Sequence, residues 1–285
     1  MANNTRFGPS GNDVMFYEQG NKSSTQAPAW LKELGLDAFE INFGRGIKMG
    51  GAMAQKLGDE ARKNDIELSV HAPYYINLAS PDSEMLQKSY GYIEKCVSIL
   101  KTLGFSRLIV HIGSQGTLER DVAIENCKAN LKWVIDELRR HGHDDFLLCI
   151  ETMGRYKAIG NYTEICDICS VDECVIPTLD FGHINCLEQG ELVRNSARFG
   201  EILDYCIAKL GYQKMKKVHV HISAIRFGLK GELAHTVLAD KKWAFPFEPL
   251  AKAIKDRALE PVIICESSEI MAQDAKRLQD IWLSI

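Results

Sequence analysis

Residues 107–153 read RLIVHIGSQGTLERDVAIENCKANLKWVIDELRRHGHDDFLLCIETM, and this stretch changes its hydrophobic period twice. Its two ends, 107–114 and 146–153, are short apolar runs, as expected of strands buried on both faces of a parallel sheet. Between them, apolar residues recur at helical spacing over 119–142. The stretch therefore predicts a strand, a helix and a second strand.

The same alternation continues through the rest of the chain. Further strand-like runs are DAFEINFG (37–44), IELSVHAP (66–73), VIPTLDFGH (175–183), KKVHVHIS (216–223) and PVIICESS (261–268), with a weaker candidate at 5–9. Amphipathic helical stretches separate them without any Pro-, Ser- or Gly-rich linker. Eight strands alternating with about eight helices predict one α/β domain over residues 1–285, a single (β/α)8 barrel. The alternative is an open doubly wound sheet, but no glycine-rich nucleotide-binding motif follows any strand.

Composition excludes several classes of protein. The 285 residues are 46% hydrophobic and 25% charged, which are ordinary globular values. No apolar run is long enough to cross a bilayer and no secretory signal is visible, so we expect a cytoplasmic protein with no membrane partner and no obligate protein partner. Because the net charge is −4, a nucleic-acid partner would have to be held by local features or bound cations.

The nine cysteines are odd in number and irregularly spaced, and most lie inside apolar runs. In a chain without a signal peptide, they are expected to be reduced core residues. Cys166 and Cys169 form a CxxC pair, which could be half of a zinc site or a redox pair. Since no second CxxC accompanies it, packing in the core is favoured.

Six of the eight histidines fall at the carboxyl ends of predicted strands or in the loops just after them. They are His71, His111, His183, His219, His221 and His235, and the carboxylates Glu151, Asp180 and Glu266 share this position. In a barrel these strand ends meet at one rim, where active sites are built. One histidine there is more often an ordinary core residue, but so many imidazoles and carboxylates beside apolar strands require mutual pairing or metal ions. The mixed donors predict a multi-metal site for zinc, manganese or iron.

Spacing gives some local detail. Asp180 and His183 lie three residues apart at a strand end, where the turn can direct their side chains into neighbouring sites. His219 and His221 alternate with valine and isoleucine, so both face the same side of their strand, inward if the apolar residues pack against helices. One of the two is expected to be a direct ligand and the other a support or a substrate contact, and the pattern does not choose between them.

An ordered series of segments runs through essentially the whole chain: HAPYYINLASPD, IVHIGS, CIETM, LDFGHIN, VHVHIS and CESS. This series resembles the endonuclease IV family of apurinic/apyrimidinic endonucleases, which belongs to the xylose-isomerase-like TIM barrels. The resemblance implies two or three zinc ions and cleavage of DNA 5′ to abasic sites by attack of a metal-activated hydroxide on the phosphate. It also implies a role in base-excision repair, with abasic DNA as the partner.

The family's ligands carry over onto individual positions of this sequence. On this resemblance, His71 and His111 hold one ion, and Glu151, the catalytic carboxylate, bridges it to a second ion. The second site is completed by Asp180, His219 and Glu266. The third ion is bound by His183 and His235. The side chains that the family inserts into DNA match Arg45, Tyr74 and Tyr75. For the two tyrosines, ordinary packing at the rim is the alternative.

The chain departs from the family in two places. Leu233 stands where the family has the aspartate of its third site, and Glu232 is the nearest substitute. The family's HLND segment is HVHIS here, which removes an aspartate and adds His221 as a candidate replacement ligand. Both departures leave a different substrate open.

Two alternative functions follow from the same residues. The first is a sugar or sugar-phosphate isomerase or epimerase, with one manganese ion held by Glu151, Asp180, His219 and Glu266. It ranks second because four further inward histidines are more than a small sugar needs. The other is a metal-dependent binding module, which would not need bridging ligands.

Overall fold

The structure of the protein is a computed structural model that describes residues 4–44 and 46–285. Eight parallel strands form a nearly closed barrel. They are β1 (Arg6–Pro9), β2 (Ala38–Asn42), β3 (Glu67–His71), β4 (Arg107–Val110), β5 (Leu147–Glu151), β6 (Val175–Asp180), β7 (His219–Ile222) and β10 (Val262–Cys265). Hydrogen-bonded neighbours follow the order β1-β10-β7-β6-β5-β4-β3-β2. The predicted (β/α)8 barrel is confirmed.

The first two strands close the barrel. Asp37 N–H donates to the Phe7 carbonyl over 3.0 Å, and Gly11 N–H donates to the Glu40 carbonyl over 2.8 Å. A Cβ at Gly8 would collide with the backbone of Ala38 on the neighbouring strand. Glycine is therefore required where β1 and β2 meet.

Helices connect the strands, and most of them cover the outside of the barrel. They are α1 (Val14–Glu18), α2 (Ala27–Glu33), α3 (Gly51–Asn64), α4 (Ser83–Leu103), α5 (Arg120–Arg140), α6 (Tyr162–Cys169), α7 (Phe181–Leu187), α8 (Glu191–Arg194), α9 (Ala197–Leu210), α10 (Tyr212–Lys216), α11 (Phe247–Asp256) and α12 (Met271–Ser284), with a 3-10 turn at Ser24–Gln26. The last helix packs on the first strand, where the ring centroids of Trp282 and Phe7 are 5.8 Å apart. Within the described ranges, no helix combines the length and apolar character that a membrane span requires.

Helix α4 shows how the sequence sets these elements. It begins at the N-cap Asp82, whose side chain accepts from the Glu84 N–H over 2.9 Å. It ends at Gly104, which adopts φ 78°, the left-handed conformation that glycine tolerates best. Ile93 and Leu100 are fully buried on the face towards the barrel, and each contributes roughly 1.5–3 kcal/mol through burial.

A hairpin that the sequence analysis did not predict follows β7. Its antiparallel strands are β8 (Ala224–Gly228) and β9 (Gly231–Thr236). The Glu232 N–H donates to the Gly154 carbonyl over 2.8 Å, which ties the hairpin to the loop after β5. This attachment places the side chains of β9 above the barrel mouth.

Most predicted strands were a few residues too long. The predicted strand at 66–73 is observed as Glu67–His71, because its last residues already belong to the rim loop. The predicted strand at 216–223 starts too early, since Lys216 ends α10.

All nine cysteines are free thiols, and eight of them are buried. Cys166 and Cys169 lie on the buried face of α6, and the sulfurs of Cys166 and Cys206 are 3.2 Å apart. Burial raises the pKa of the Cys169 thiol well above its usual value. These surroundings are those of core packing.

Candidate metal centre

Nitrogen and oxygen donors converge at the carboxyl ends of the barrel strands. Three groups with donor atoms within 4.8 Å of one another are His71, His111 and Glu151; Glu151, Asp180, His221 and Glu266; and His183, Glu232 and His235. We call them the first, second and third groups. Glu40, His219 and His221 form a further group in the barrel interior, on fully buried side chains.

The first group is built around one carboxylate oxygen. Nε2 of His71, at the end of β3, lies 3.1 Å from Oε2 of Glu151, and Nε2 of His111, just after β4, lies 2.9 Å from the same oxygen. The Nδ1–H of His71 donates to the Ala72 carbonyl over 2.9 Å. This bond leaves Nε2 as the nitrogen that faces the site.

The second group depends on how strand β6 ends. Asp180 is the N-cap of α7, and its Oδ1 accepts from the His183 N–H over 2.8 Å, which leaves Oδ2 facing the site. Nδ1 of His221 lies 3.4 Å from Glu151 Oε1 and 3.6 Å from Glu266 Oε2. Glu151 thus gives one oxygen to each of the first two groups, which makes it a bridging carboxylate between them.

The third group joins α7 to the hairpin. Nε2 of His183 lies 3.5 Å from Glu232 Oε2, and Nε2 of His235 lies 3.8 Å from Glu232 Oε1. The Nδ1–H of His183 donates to the Thr152 carbonyl over 2.9 Å. Leu233 is 65% exposed and offers no donor atom, and the carboxylate in this group is that of Glu232.

Glu40 is a buried carboxylate beside the site that the sequence analysis missed. Its side chain on β2 is fully buried and accepts from Ser69 Oγ over 2.8 Å and from Ser10 Oγ over 3.3 Å. Nε2 of His219 lies 3.1 Å and Nε2 of His221 lies 3.2 Å from its two oxygens. The available signal was a lone carboxylate inside the apolar run DAFEINFG, since a buried carboxylate requires partners.

The structure does not place His219 beside Asp180 and Glu266, as the family resemblance implied. In the sheet, His221 pairs with Asp180, and His219 pairs with Thr178 one layer further from the rim. Both histidines face inward, but His221 takes the position in the second group and His219 contacts Glu40. The two-residue period of the strand is the physical reason for this separation.

The charges of the cluster are strongly coupled. Burial favours a raised pKa for Glu151, but the neighbouring imidazoles of His111 and His221 hold it well below its usual range. Burial favours a lowered pKa for His71, but the bond to Glu151 and the nearby carboxylates raise it to about 9. Burial raises the pKa of Asp180. The ionised form of these buried carboxylates is therefore stable only beside positive charge, which protonated imidazoles or divalent cations can supply.

The inward-facing atoms fit divalent cations. Glu151 Oε1, Asp180 Oδ2 and His221 Nδ1 are buried and make no hydrogen bond to any described residue. Imidazole nitrogens of His183 and His221 lie 3.3 and 3.4 Å from Glu151 Oε1, but not with hydrogen-bond geometry. Buried polar atoms without hydrogen bonds are costly, and coordination of a metal by this mixture of imidazoles and carboxylates satisfies them.

The mouth of the barrel opens into a cavity of about 940 Å³. Tyr74 stacks on His111 with ring centroids 5.1 Å apart and an angle of 24°, and its side chain is 52% exposed. Tyr75 is 54% exposed and lies against Tyr92. Arg45, the third predicted DNA contact, lies outside the described residues.

Two basic residues that the sequence analysis missed also line this cavity. Arg155 and Lys157 lie on the loop after β5, and the Arg155 Nε is 3.7 Å from Glu232 Oε2. The available signal was the pair of basic residues in MGRYKAIG (153–160), directly after a strand that ends in a candidate ligand. They bring positive charge to the mouth of an otherwise acidic protein.

Comparison with known proteins gives relatives over most of the chain. The family model for xylose isomerase-like TIM barrels matches residues 28–282. An uncharacterised protein of Methanocaldococcus jannaschii is 30% identical over 237 residues, covering 83% of this chain and 84% of that protein. A probable endonuclease 4 of Mycoplasma genitalium is 25% identical over 234 residues, covering 80% of this chain and 75% of that protein.

Solved structures of two kinds of enzyme share the fold. Endonuclease IV from Thermus thermophilus has a TM-score of 0.72 at 20% identity, covering 98% of this chain and 100% of that one. D-psicose 3-epimerase from Clostridium cellulolyticum has a TM-score of 0.69 at 16% identity, covering 99% of both chains. The resemblance predicted from the sequence is thus confirmed, and the chain belongs to the xylose isomerase-like TIM barrel family.

Proposed function

We propose that this protein is a metal-dependent phosphodiesterase, resembling endonuclease IV, that cleaves DNA on the 5′ side of abasic sites. The observation that carries the proposal is the joining of the first and second donor groups through Glu151, with the third group on the same cavity. Two-metal nucleases and phosphatases use adjacent cations to stabilise both the attacking and the leaving oxygen of a phosphate ester. The relatives described as probable endonuclease 4 support the same reaction class.

The residues of the three groups would hold two or three ions, with zinc favoured by the imidazole and carboxylate donors. When bound, such ions polarise a phosphate oxygen, activate water and stabilise the leaving oxygen. Glu151 is positioned to act in two groups at once because both of its oxygens are buried and face different histidines. We therefore assign it the catalytic role.

The cavity mouth would hold the nucleic acid. Arg155 and Lys157 line the cavity, where their charges can pair with phosphates that flank the reacting one. The exposed rings of Tyr74 and Tyr75 offer surfaces on which bases can stack, at roughly 1–3 kcal/mol per base. Arg45 remains a proposed DNA contact on the family resemblance.

The second candidate function is a sugar or sugar-phosphate epimerase or isomerase. The second group alone assembles four donors, Glu151, Asp180, His221 and Glu266, which suffice for one manganese ion. The D-psicose 3-epimerase neighbour has the same fold. On this reading, histidines of the first and third groups would contact sugar hydroxyls.

Metal analysis together with a nicking assay separates the two candidates. The protein is loaded with Zn²⁺ or Mn²⁺, desalted and incubated with a duplex that carries one synthetic abasic site, with and without chelator. Two or three bound ions and a chelator-sensitive nick 5′ to the lesion are expected. The proposal would be refuted in favour of the epimerase if the protein bound a single ion, made no nick and epimerised or isomerised a sugar in a panel of ketoses.

A further inference from the structure

The histidines of the metal centre are held by two different kinds of partner. In His71, His183 and His235, Nδ1–H donates to a backbone carbonyl, that of Ala72, Thr152 or Glu266, over 2.9–3.0 Å, and Nε2 faces the site. His221 is reversed, because its Nδ1 faces the second group and its Nε2 faces Glu40. The atom that fixes this imidazole is a side-chain oxygen rather than the backbone.

Glu40 is itself held in one position. Ser69 donates to Oε2 and Ser10 to Oε1, and Nε2 of His219 lies beside Oε2, all on fully or nearly fully buried side chains. A carboxylate in the interior of a barrel is costly unless each oxygen has donors. This cost is offset here by four donors, including His221 itself.

We infer that Glu40 is a positioning residue for the metal centre, which fixes His221 as the Nε2–H tautomer and thereby presents the Nδ1 lone pair to the second group. A carboxylate behind a ligating imidazole orients the ring and raises the basicity of the coordinating nitrogen. His219 and the two serines support Glu40, and none of the three is a member of the second group. The inference rests on the metal centre of the proposed function, but not on DNA as the substrate.

The competing arrangement is a metal ion bound directly between Glu40, His219 and His221, in place of the protons that join them. The ligand atoms of these three residues are close enough to one another to bind a single ion. Glu40 already accepts from Ser69 and Ser10, and all three side chains are fully buried. Hydrogen bonds therefore account for the contacts of Glu40 without an ion.

The test compares Glu40→Gln with the matched control Glu67→Gln. Glu67 is a carboxylate on the neighbouring strand β3, paired with Arg107 at 3.9 Å and absent from all donor groups among the described residues. Metal-free proteins are titrated with Co²⁺ against a chelating dye, and thermal unfolding of the metal-free form shows that each variant folds. The Zn²⁺-loaded proteins, labelled with ¹⁵N-histidine, report the tautomer of His221 through long-range ¹H–¹⁵N correlations.

For Glu40→Gln we expect about 10–100-fold weaker binding of one ion, with a changed Co²⁺ absorption spectrum, while Glu67→Gln matches the wild type. In the wild type, His221 should carry its proton on Nε2, opposite to His71, His183 and His235. If Glu40→Gln does not fold, Ser69→Ala should weaken the same ion by a smaller factor.

Unchanged Co²⁺ affinity together with an unchanged His221 tautomer in Glu40→Gln would overturn the inference. Loss of one whole ion from between Glu40 and His219, seen by anomalous scattering, would overturn it in favour of the competing cation. Metal binding without DNA nicking would refute the phosphodiesterase and leave the role of Glu40 standing.

Discussion

Replacing Glu151 with glutamine removes the one carboxylate that two donor groups share. Oε2 contacts His71 and His111 at 3.1 and 2.9 Å, and Oε1 lies 3.3 and 3.4 Å from His183 and His221. Glutamine has nearly the same shape but no charge, and its NH2 group cannot ligate a metal, so one neutral carbonyl oxygen replaces two carboxylate oxygens. The first and second groups both lose their shared anion, whereas the third group keeps all three of its members, His183, Glu232 and His235.

The expected loss follows from this inventory. The bound ions should fall to about one, held by the third group, because both groups lose their shared anion. Activation of water and stabilisation of the phosphate together contribute several kcal/mol, and each 1.36 kcal/mol is tenfold in rate, so nicking should fall by roughly a thousandfold or more.

The assay is single-turnover nicking of an abasic duplex, with metal content measured on the same preparation. Glu67→Gln serves as the control, since it removes a carboxylate of the barrel without touching a donor group among the described residues. The fold should survive in Glu151→Gln, as judged by circular dichroism. Turnover within about tenfold of the wild type, with the ions retained, would refute the bridging role.

Three further predictions concern other parts of the molecule. His235→Ala should lower the metal content by about one ion, and an unchanged content by mass spectrometry would show that the third group binds none. Arg155→Ala should weaken binding of the abasic duplex and flatten its salt dependence, while the single-turnover rate at saturation stays similar; a slower rate with unchanged binding would refute phosphate contact. Arg139 makes a bidentate ion pair with Asp172, at 2.8 Å for each bond, and this pair lowers the pKa of the Asp172 carboxyl. The substitution Asp172→Asn removes the pair. A carboxyl group whose pKa is lower in the folded than in the unfolded protein stabilises the fold at any pH above its unfolded pKa, which is about 4. The variant should therefore lose about 1 kcal/mol of unfolding free energy at pH 7, and the difference from the wild type should shrink as the pH falls below about 4. Urea titrations at pH 7, 5 and 3.5 check this, and a difference that grows in acid would contradict it.

The barrel was predictable from the sequence because its cause is local. Each strand is a short apolar run and each long helix has one apolar face, so the alternation at 107–153 already specifies the unit that repeats. The hairpin over residues 224–236 was not predictable in this way. Its second strand lies half-exposed over the barrel mouth, and its position depends on the backbone contact between Glu232 and Gly154.

The site was predictable as a set of residues but not as a set of contacts. Histidines and carboxylates at the ends of strands meet because barrel strands share one rim. The choice between His219 and His221 depends on pairing with β6, which a single strand does not contain. Glu40 was not predicted because its partners come from β3, β7 and the residue that follows β1, and only the closing of the barrel brings them together.

Anomalous diffraction at the zinc edge from crystals of the metal-loaded protein tests the central claim most directly. We predict one peak between His71, His111 and Glu151 and a second between Glu151, Asp180, His221 and Glu266. A metal-loaded crystal with no peak in either position, or with Glu151 turned away from both sets of histidines, would contradict a shared metal centre.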